Sequence, residues 1–155
     1  MRFFRVLYFR NRFYLSMGVL AGIFILGYFV SVLTPIGILL FYLLAVLIVT
    51  DILLLFATRL PITAERLVAE RLSNGDENPI YILVESRYRV PVIVEIIDEI
   101  PDQFQRRDVL FHASLKAGHS KRIQYSLRPV KRGEYNFGVI NVFASTVLGL
   151  VSLRF

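Results

Sequence analysis

The apolar and polar positions of this chain form two regions with different patterns. Residues 13–50 contain no Asp, Glu, Lys, Arg or His. From residue 59 onward, apolar and polar positions alternate in short runs bounded by Gly, Pro, Asn and Asp. A long uncharged stretch is typical of membrane spans, and short alternating runs are typical of half-buried strands. The pattern therefore predicts a membrane anchor followed by a β-rich domain.

The uncharged stretch divides at a proline–glycine break within residues 31–37. The break predicts two spans, about 13–33 and 36–58, each of roughly 20 residues and long enough to cross ~30 Å of hydrocarbon. Because their connection is short, we expect the spans to run antiparallel as a transmembrane hairpin. A cleaved signal peptide fits less well, since the apolar run is too long and no small-residue cleavage site follows it.

Basic residues flank both spans on the same side of the expected hairpin. Four precede the first span and two follow the second: Arg2, Arg5, Arg10, Arg12, Arg59 and Arg66. The positive-inside rule then places residues 1–12 in the cytoplasm as a basic arm. A hairpin returns the chain to the same side, so residues 60–155 are predicted to form a cytoplasmic domain, with both termini cytoplasmic.

A few residues in and beside the spans invite more specific interpretations. Gly18 and Gly22 are spaced four apart, which is typical of close helix packing but also of ordinary glycine enrichment in spans. Asp51 is the only charged residue inside either span. Its position near the span end favours an acid reaching the headgroups over a buried contact or a proton relay. Tyr8 and Phe9 are expected in an aromatic belt at headgroup level.

Residues 60–155 form a module large enough for one modest core. Six or seven short strands with turns at regular spacing, and no long helix, predict a β-sandwich. Two of them, 80–86 and 91–98, are expected to pair antiparallel across a short connection. The candidate strands are 62–72, 80–86, 91–98, 109–115, 121–127, 134–143 and 148–155.

Composition excludes several chemistries. The 155 residues are 55 % hydrophobic and include no Cys, so disulfides, thiolate metal sites and cysteine nucleophiles are absent. The net charge of +6 reflects the basic arm, whereas acids and bases interleave in the module, and nucleic-acid binding is not expected. His112 and His119 are isolated, and no nucleophile elbow or phosphate loop occurs. We expect neither a catalytic site nor a cofactor.

Three carboxylates, Asp98, Glu99 and Asp102, cluster in a proline-bearing connection. They leave open a divalent-ion site or an acid–base pair, and hence a metal-dependent membrane enzyme. A solvated acidic loop is the interpretation we prefer. A further alternative is an anionic-lipid surface binder that uses Arg59, Arg66 and Arg71.

Five segments follow one another in an order that resembles a known family: 74–78 (Asn-Gly-Asp-Glu-Asn), 98–101 (Asp-Glu-Ile-Pro), 125–129 (Tyr-Ser-Leu-Arg-Pro), 131–138 (Lys-Arg-Gly-Glu-Tyr-Asn-Phe-Gly) and 145–150 (Ser-Thr-Val-Leu-Gly-Leu). With the hairpin, they resemble the amino-terminal part of the membrane proteins grouped as domain of unknown function 58. We call the following residues the signature residues: Gly75, Asp76, Asn78, Asp98, Pro101, Arg132, Gly133, Tyr135, Gly138, Gly149 and Leu150.

Local chemistry favours structural roles for these residues over ligand binding. Gly133 suits a turn of positive φ, and Gly138 suggests a bulge or a close backbone approach. Tyr135 and Phe137 are two residues apart, so both would face the same side of a strand. Asn74 and Gly75 are typical of a tight turn.

The resemblance implies a layout of two-span hairpin, immunoglobulin-like β-domain and von Willebrand factor A-like domain in the bacterial inner membrane. This chain stops at Phe155, before that last domain, and lacks the Asp-x-Ser-x-Ser metal motif, so no metal residue is inferred. Members are often encoded beside MoxR-type AAA+ ATPases. The resemblance therefore implies a scaffold or accessory protein whose partners are such an ATPase and the chain's own missing carboxy-terminal domain.

Overall fold

The computed structural model describes residues 7–57, 62–106 and 109–155. Residues 1–6 of the basic arm, with Arg2 and Arg5, and Arg59 lie outside these residues. The chain divides into two compact units, of which the first comprises 1–57 with 145–153, and the second 58–144 with 154–155. The elements in chain order are β1 (Leu7–Phe9), α1 (Asn11–Phe29), α2 (Leu33–Phe56), β2 (Ile62–Leu67), β3 (Asn78–Ser86), β4 (Val92–Asp98), a 3₁₀ turn (Asp102–Phe104), β5 (Leu110–Leu115), β6 (Ser120–Leu127), β7 (Ile140–Thr146) and β8 (Val151–Arg154).

Two long apolar helices make up most of the first unit. At 1.5 Å per residue, α1 and α2 are about 28 and 36 Å long. Both are long and apolar enough to cross a membrane, and only 11 % of the most apolar stretch of each is buried. The prediction of two apolar helices is confirmed.

The turn between the helices comes earlier than the sequence predicts. It occupies residues 30–32, and α2 begins at Leu33. Pro35 and Gly37, which were expected in the break, lie inside α2. Pro35 is tolerated there because the first turn of a helix has N–H groups without intrahelical partners, so the missing donor costs no hydrogen bond.

Glycines near the turn allow α1 and α2 to approach closely. A Cβ atom on Gly27 would lie 2.9 Å from Thr34 Oγ1, and one on Gly37 would lie 3.1 Å from the Phe24 ring. The Thr34 hydroxyl donates to the Gly27 carbonyl at 3.2 Å. A Cβ atom on Gly18 or Gly22 would meet none of the described residues within 4 Å. Of the interpretations left open for that pair, close packing within the hairpin is not supported, and ordinary glycine enrichment in a span accounts for its spacing.

The first unit also contains a short antiparallel strand pair. β1 pairs with β8, with Leu7 opposite Leu153 and Phe9 opposite Val151. Tyr8, which was expected in an aromatic belt, is the central residue of β1. Three residues are too few to show alternation, and the sequence analysis missed this strand.

The second unit is an antiparallel β-sandwich. One sheet has the order β2-β3-β6, and the other sheet contains β7-β4-β5 within this unit. Alternate side chains of β3 and β4 are fully buried and form the centre of the core: Ile80, Ile82, Val84, Val92, Val94 and Ile96. The prediction of a β-sandwich is confirmed.

The predicted pairing of runs 80–86 and 91–98 is wrong. β3 pairs with β2 and β6, whereas β4 pairs with β5 in the other sheet. Residues 87–91 carry the chain from one sheet to the other, and Tyr88 within them is 2 % exposed in the core. A short connection between two strands is compatible with both a hairpin and a sheet crossing, and burial of the Tyr88 ring requires the crossing.

Three candidate strands are shorter than expected by three residues or more. β8 comprises only Val151–Arg154 of the predicted 148–155. β2 ends at Leu67, and residues 68–72 continue as irregular chain, exposed except for the half-buried Leu72. β7 begins only at Ile140, so residues 134–139 are not a regular strand. Tyr135 and Phe137 are nevertheless half-buried while Asn136 is exposed. Their alternation reflects contacts with neighbouring loops, which sequence periodicity does not distinguish from a strand.

Candidate functional site

A buried carboxylate at the end of β4 organises one end of the sandwich. Asp98 is 4 % exposed. Its oxygens accept hydrogen bonds from Arg66 on β2, with Nε at 3.1 Å from each oxygen and Nη2 also donating. The Tyr125 hydroxyl on β6 donates to Asp98 at 2.5 Å. Burial and then the bond to Asp98 raise the pKa of Tyr125, so its hydroxyl keeps its proton and remains a donor.

Arg66 extends this network to the segment 131–138, which contains four of the eleven signature residues. Its Nη2 donates to the Gly138 carbonyl at 3.0 Å, and its guanidinium lies 4.8 Å from the centre of the Phe137 ring. The Phe104 ring in the 3₁₀ turn lies 4.7 Å from Tyr135 and 6.4 Å from Phe137. Asp98, Arg66 and Phe104 therefore hold an irregular stretch of chain in one conformation.

Gly138 makes the close approach that its position predicts. Its N–H donates to the Glu99 carbonyl at 2.8 Å, and a Cβ atom here would lie 2.6 Å from Glu99 Oε2. The Glu99 carboxylate accepts from the Asn141 side chain at 2.8 Å and from the Val139 N–H at 3.3 Å. Pro101, which precedes the 3₁₀ turn, is buried.

The preferred interpretation of a solvated acidic loop is wrong for one of its three carboxylates. Asp98 is buried against Arg66, whereas Asp102 is exposed and Glu99 is exposed although it accepts from Asn141. Within residues 7–57, 62–106 and 109–155, no group of three or more His, Asp or Glu side chains is placed to hold a metal ion. Arg66 is only 12 % exposed and already paired, so it is a poor cation for a lipid surface.

The first signature segment forms a tight turn that docks on the segment after β6. Asn78 closes the turn: its side chain accepts from the Ser73 N–H at 2.8 Å and donates to the carbonyls of Ser73 and Asp76 at 2.9 Å each. Gly75 has a φ of +89°, and its N–H donates to the Pro129 carbonyl at 2.7 Å. The predicted turn is confirmed, and Gly75, Asp76 and Asn78 have structural roles.

An open cleft of about 640 Å³ lies beside this turn. We call it the signature cleft, and it is lined by residues 68–72, Asn74, Pro129 and residues 131–137. Its charged side chains are the basic Arg71, Lys131 and Arg132 and the acidic Glu70 and Glu134. Val68 adds an apolar side chain that is 38 % exposed. This lining suits a protein segment that carries carboxylates beside an apolar residue.

Two parts of the signature cleft hold its wall in shape. Gly133 has a φ of +153°, as its predicted turn requires. The Tyr135 hydroxyl donates to the Lys131 carbonyl at 2.5 Å and closes the loop on itself. Arg132, which lies between Lys131 and Gly133, is exposed. The loop thus presents Lys131 and Arg132 from a fixed backbone.

The last two signature residues belong to the first unit and surround Asp51. Asp51 is fully buried and accepts hydrogen bonds from the Thr146 hydroxyl and from the N–H groups of Leu150 and Val151, the latter two at 3.0 Å each. The expectation of an acid at the headgroups is therefore wrong. The buried contact, which was the alternative, is made within this chain.

Two arginines of the amino-terminal region bind the same loop within the first unit. Arg10 Nη1 donates to Ser145 Oγ at 3.0 Å. Arg12 Nη1 donates to the carbonyls of Val147 and Leu148 at 3.1 Å each. Gly149 has a φ of +65° and lies beside the Arg12 side chain. The segment 145–150 therefore accepts hydrogen bonds from arginine side chains at the start of α1.

Sequence reasoning missed the partners of both buried acids. Arg66 is 32 residues from Asp98, and Thr146 is 95 residues from Asp51. No local spacing connects residues so far apart. The sequence does show that each acid lies in an apolar run, Asp51 within α2 and Asp98 at the end of β4. A charged residue that is buried there needs a partner.

No family model matches the chain, and no curated protein matches it. Among solved structures, the chain is similar to the ASH/PapD-like domain of human CEP192 (PapD-like domain 7), with 12 % sequence identity and a TM-score of 0.44. The match covers 61 % of this chain and 80 % of that domain.

Proposed function

We propose that this protein is a membrane-anchored scaffold that presents an immunoglobulin-like β-sandwich to a protein partner in the cytoplasm. The observation that carries the proposal is the exposure of apolar side chains along both helices. Leu15, Leu39 and Leu53 are 71, 69 and 64 % exposed on α1 and α2. Helices with apolar residues on every face are stable in lipid, where backbone groups are satisfied internally and apolar side chains need no cover.

The signature cleft supports an interaction role for the β-sandwich. It combines exposed cations on a fixed loop with an exposed apolar side chain, and its size is within the range of ligand-binding clefts. β2 is an edge strand of its sheet and leads directly into residues 68–72, which line the cleft. An edge strand can accept a partner strand, so an extended segment could pair with β2 and place its side chains in the cleft.

The resemblance to the domain of unknown function 58 family supplies the proposed partner and location. We place the protein in the bacterial inner membrane, with a MoxR-type AAA+ ATPase and a von Willebrand factor A-like domain as partners. The basic residues Arg10 and Arg12 at the start of α1 favour a cytoplasmic orientation.

The decisive experiment is crosslinking and co-purification from membranes that contain the full-length protein and the ATPase. The Lys131→Glu/Arg132→Glu variant reverses two exposed charges of the signature cleft and should lower recovery of the ATPase by about tenfold, the loss expected for roughly 1.4 kcal/mol. Lys121→Glu/Arg122→Glu is the matched control, because both residues are exposed on β6 outside the cleft. Equal recovery with both variants would contradict the cleft as the docking site.

A further inference from the structure

We propose that the hairpin binds an anionic phospholipid in a groove between α1 and α2, with the phosphate at Arg12 and one acyl chain along the groove. This inference rests on the proposed membrane insertion and adds a specific ligand to it. It concerns the first unit alone.

The groove is apolar except at one end. It has a volume of about 340 Å³, and we call it the lipid groove. Its polar residues, Arg12 and Ser16, stand at the start of α1, and all other lining residues are aliphatic. Those residues are Leu15, Val19, Leu20, Ile23, Leu40, Leu43, Leu44 and Leu47. An amphiphile with an anionic head and a hydrocarbon tail matches this distribution.

The length of the lipid groove matches one acyl chain. On α1 it extends from Arg12 to Ile23, eleven residue steps or about 16 Å at 1.5 Å per residue. The hydrocarbon core of a bilayer is ~30 Å thick, so one leaflet contributes about half of that. A tail that starts at the headgroup level of Arg12 would therefore end close to the bilayer midplane, where the groove also ends.

The chemistry at the head end favours an anion. The Arg12 side chain is exposed, and its Nη1 donates to the carbonyls of Val147 and Leu148. A guanidinium has five N–H donors, so donors remain for a phosphate. The first turn of α1 contains no acidic residue. The positive end of the helix dipole therefore adds to the attraction.

The bonds to Val147 and Leu148 also position the arginine. They hold its side chain beside Gly149, where a Cβ atom would lie 3.4 Å from Arg12 Nη1. A preorganised cation loses less side-chain entropy when it binds a phosphate than a free surface arginine does. This distinguishes the proposed site from a general attraction between basic residues and an anionic surface.

The test uses the full chain in nanodiscs of equimolar phosphatidylglycerol and phosphatidylcholine, released into detergent, with the retained lipids counted by native mass spectrometry. We expect about fivefold more phosphatidylglycerol than phosphatidylcholine, the preference that corresponds to about 1 kcal/mol for one lipid-facing cation. Arg12→Gln should bring the ratio close to one. Arg10→Gln, which removes an equal charge beside the groove but not in its lining, should preserve the preference.

A second pair of variants tests the groove without touching the arginine. Val19→Trp fills the lipid groove and should lower the number of retained lipids of both kinds. Val46→Trp is its control, because Val46 is 62 % exposed on α2 and outside the lining, against 59 % for Val19. Equal retention in these two variants, or an equal loss of preference in Arg10→Gln and Arg12→Gln, would overturn the inference.

Alkaline carbonate extraction of membranes that contain the full chain distinguishes failure of the proposed membrane insertion from failure of the lipid groove. A chain that is extracted as a peripheral protein would refute membrane insertion and the lipid groove together. A chain that stays in the membrane but retains both lipids equally would refute the lipid groove alone.

Discussion

At the scale of single residues, two buried carboxylates have the clearest roles. Asp98 is satisfied by Arg66 and Tyr125, and Asp51 is satisfied by a hydroxyl and two backbone N–H groups. Burial of a charge is unfavourable unless such partners compensate it. Each acid therefore stabilises its own unit and makes that unit sensitive to loss of a single side chain.

Removal of the Asp98 carboxylate should destabilise the protein strongly. Asp98→Ala leaves the Arg66 guanidinium, which is 12 % exposed, without its counter-charge. We expect a loss of about 3–5 kcal/mol in the free energy of unfolding. Urea unfolding of the detergent-purified chain, followed by tyrosine circular dichroism, measures it. Asp102→Ala is the control, since this exposed acid should change stability by less than about 0.5 kcal/mol; similar losses for both variants would refute the role of Asp98.

Alkaline pH should destabilise the protein through its buried tyrosines. Burial raises the pKa of both Tyr88 and Tyr125 in the folded state. Above about pH 10, the unfolded chain ionises these groups while the folded chain keeps their protons, so the free energy of unfolding falls as pH rises. Tyr125→Phe should make this decline less steep between pH 9 and 11. An unchanged slope in urea titrations across that range would contradict the assignment.

At the scale of elements, glycines decide where backbones come together. Gly27 and Gly37 allow α1 to meet α2, and Gly138 allows its segment to meet Glu99. Gly18 and Gly22, which have the spacing of a packing motif, face open space among the described residues. Spacing alone therefore did not identify the packing glycines of this hairpin. A contact between two helices depends on which faces their connecting turn brings together.

Substitution of Gly27 should weaken the hairpin. In Gly27→Val, the new Cβ would lie 2.9 Å from Thr34 Oγ1 and 3.3 Å from the Thr34 backbone nitrogen, and the branch adds further atoms. Overpacking of this kind costs about 1–3 kcal/mol. Thermal unfolding in detergent should show a lower Tm for Gly27→Val than for the control Gly22→Val. The opposite order would mean that the two helices meet on a different face.

At the scale of the whole molecule, the membrane topology is the feature that the proposed function depends on most. The hairpin comes first, the β-sandwich follows, and residues 145–153 at the end of the chain group with the hairpin as part of the first unit. The chain contains no Cys. A single introduced cysteine therefore reports the position of its site without background labelling.

Cysteine labelling of intact cells tests the proposed topology. Ser31→Cys lies in the exposed turn between the helices and should react with a membrane-impermeant maleimide added outside. Ala117→Cys lies in the exposed turn between β5 and β6 and should react only after the cells are permeabilised. The physical reason is that a two-span hairpin with a basic amino terminus keeps both ends in the cytoplasm. Labelling of residue 117 from outside would reverse the orientation.

Features that depend only on neighbouring residues could be predicted from the sequence. Absence of charge over residues 13–50 specified two apolar helices, and period-two alternation specified most strands of the β-sandwich. Turn chemistry placed the Asn74–Gly75 turn, and Gly133 and Gly138 were correctly assigned to a positive φ and a close approach. These features follow from backbone conformation and from the side-chain periodicity of each element, and both are properties of neighbouring residues.

Which elements pair or pack together could not be predicted from the sequence and is seen only in the folded chain. In the fold, β3 and β4 lie in different sheets, β2 ends at Leu67, and β1 pairs with β8. The buried acids Asp51 and Asp98 bond to residues that are distant in the sequence. Such choices depend on how complete apolar faces are buried and on whether each buried charge finds a donor. Both conditions are satisfied by the folded chain as a whole, so no local stretch of sequence contains the information.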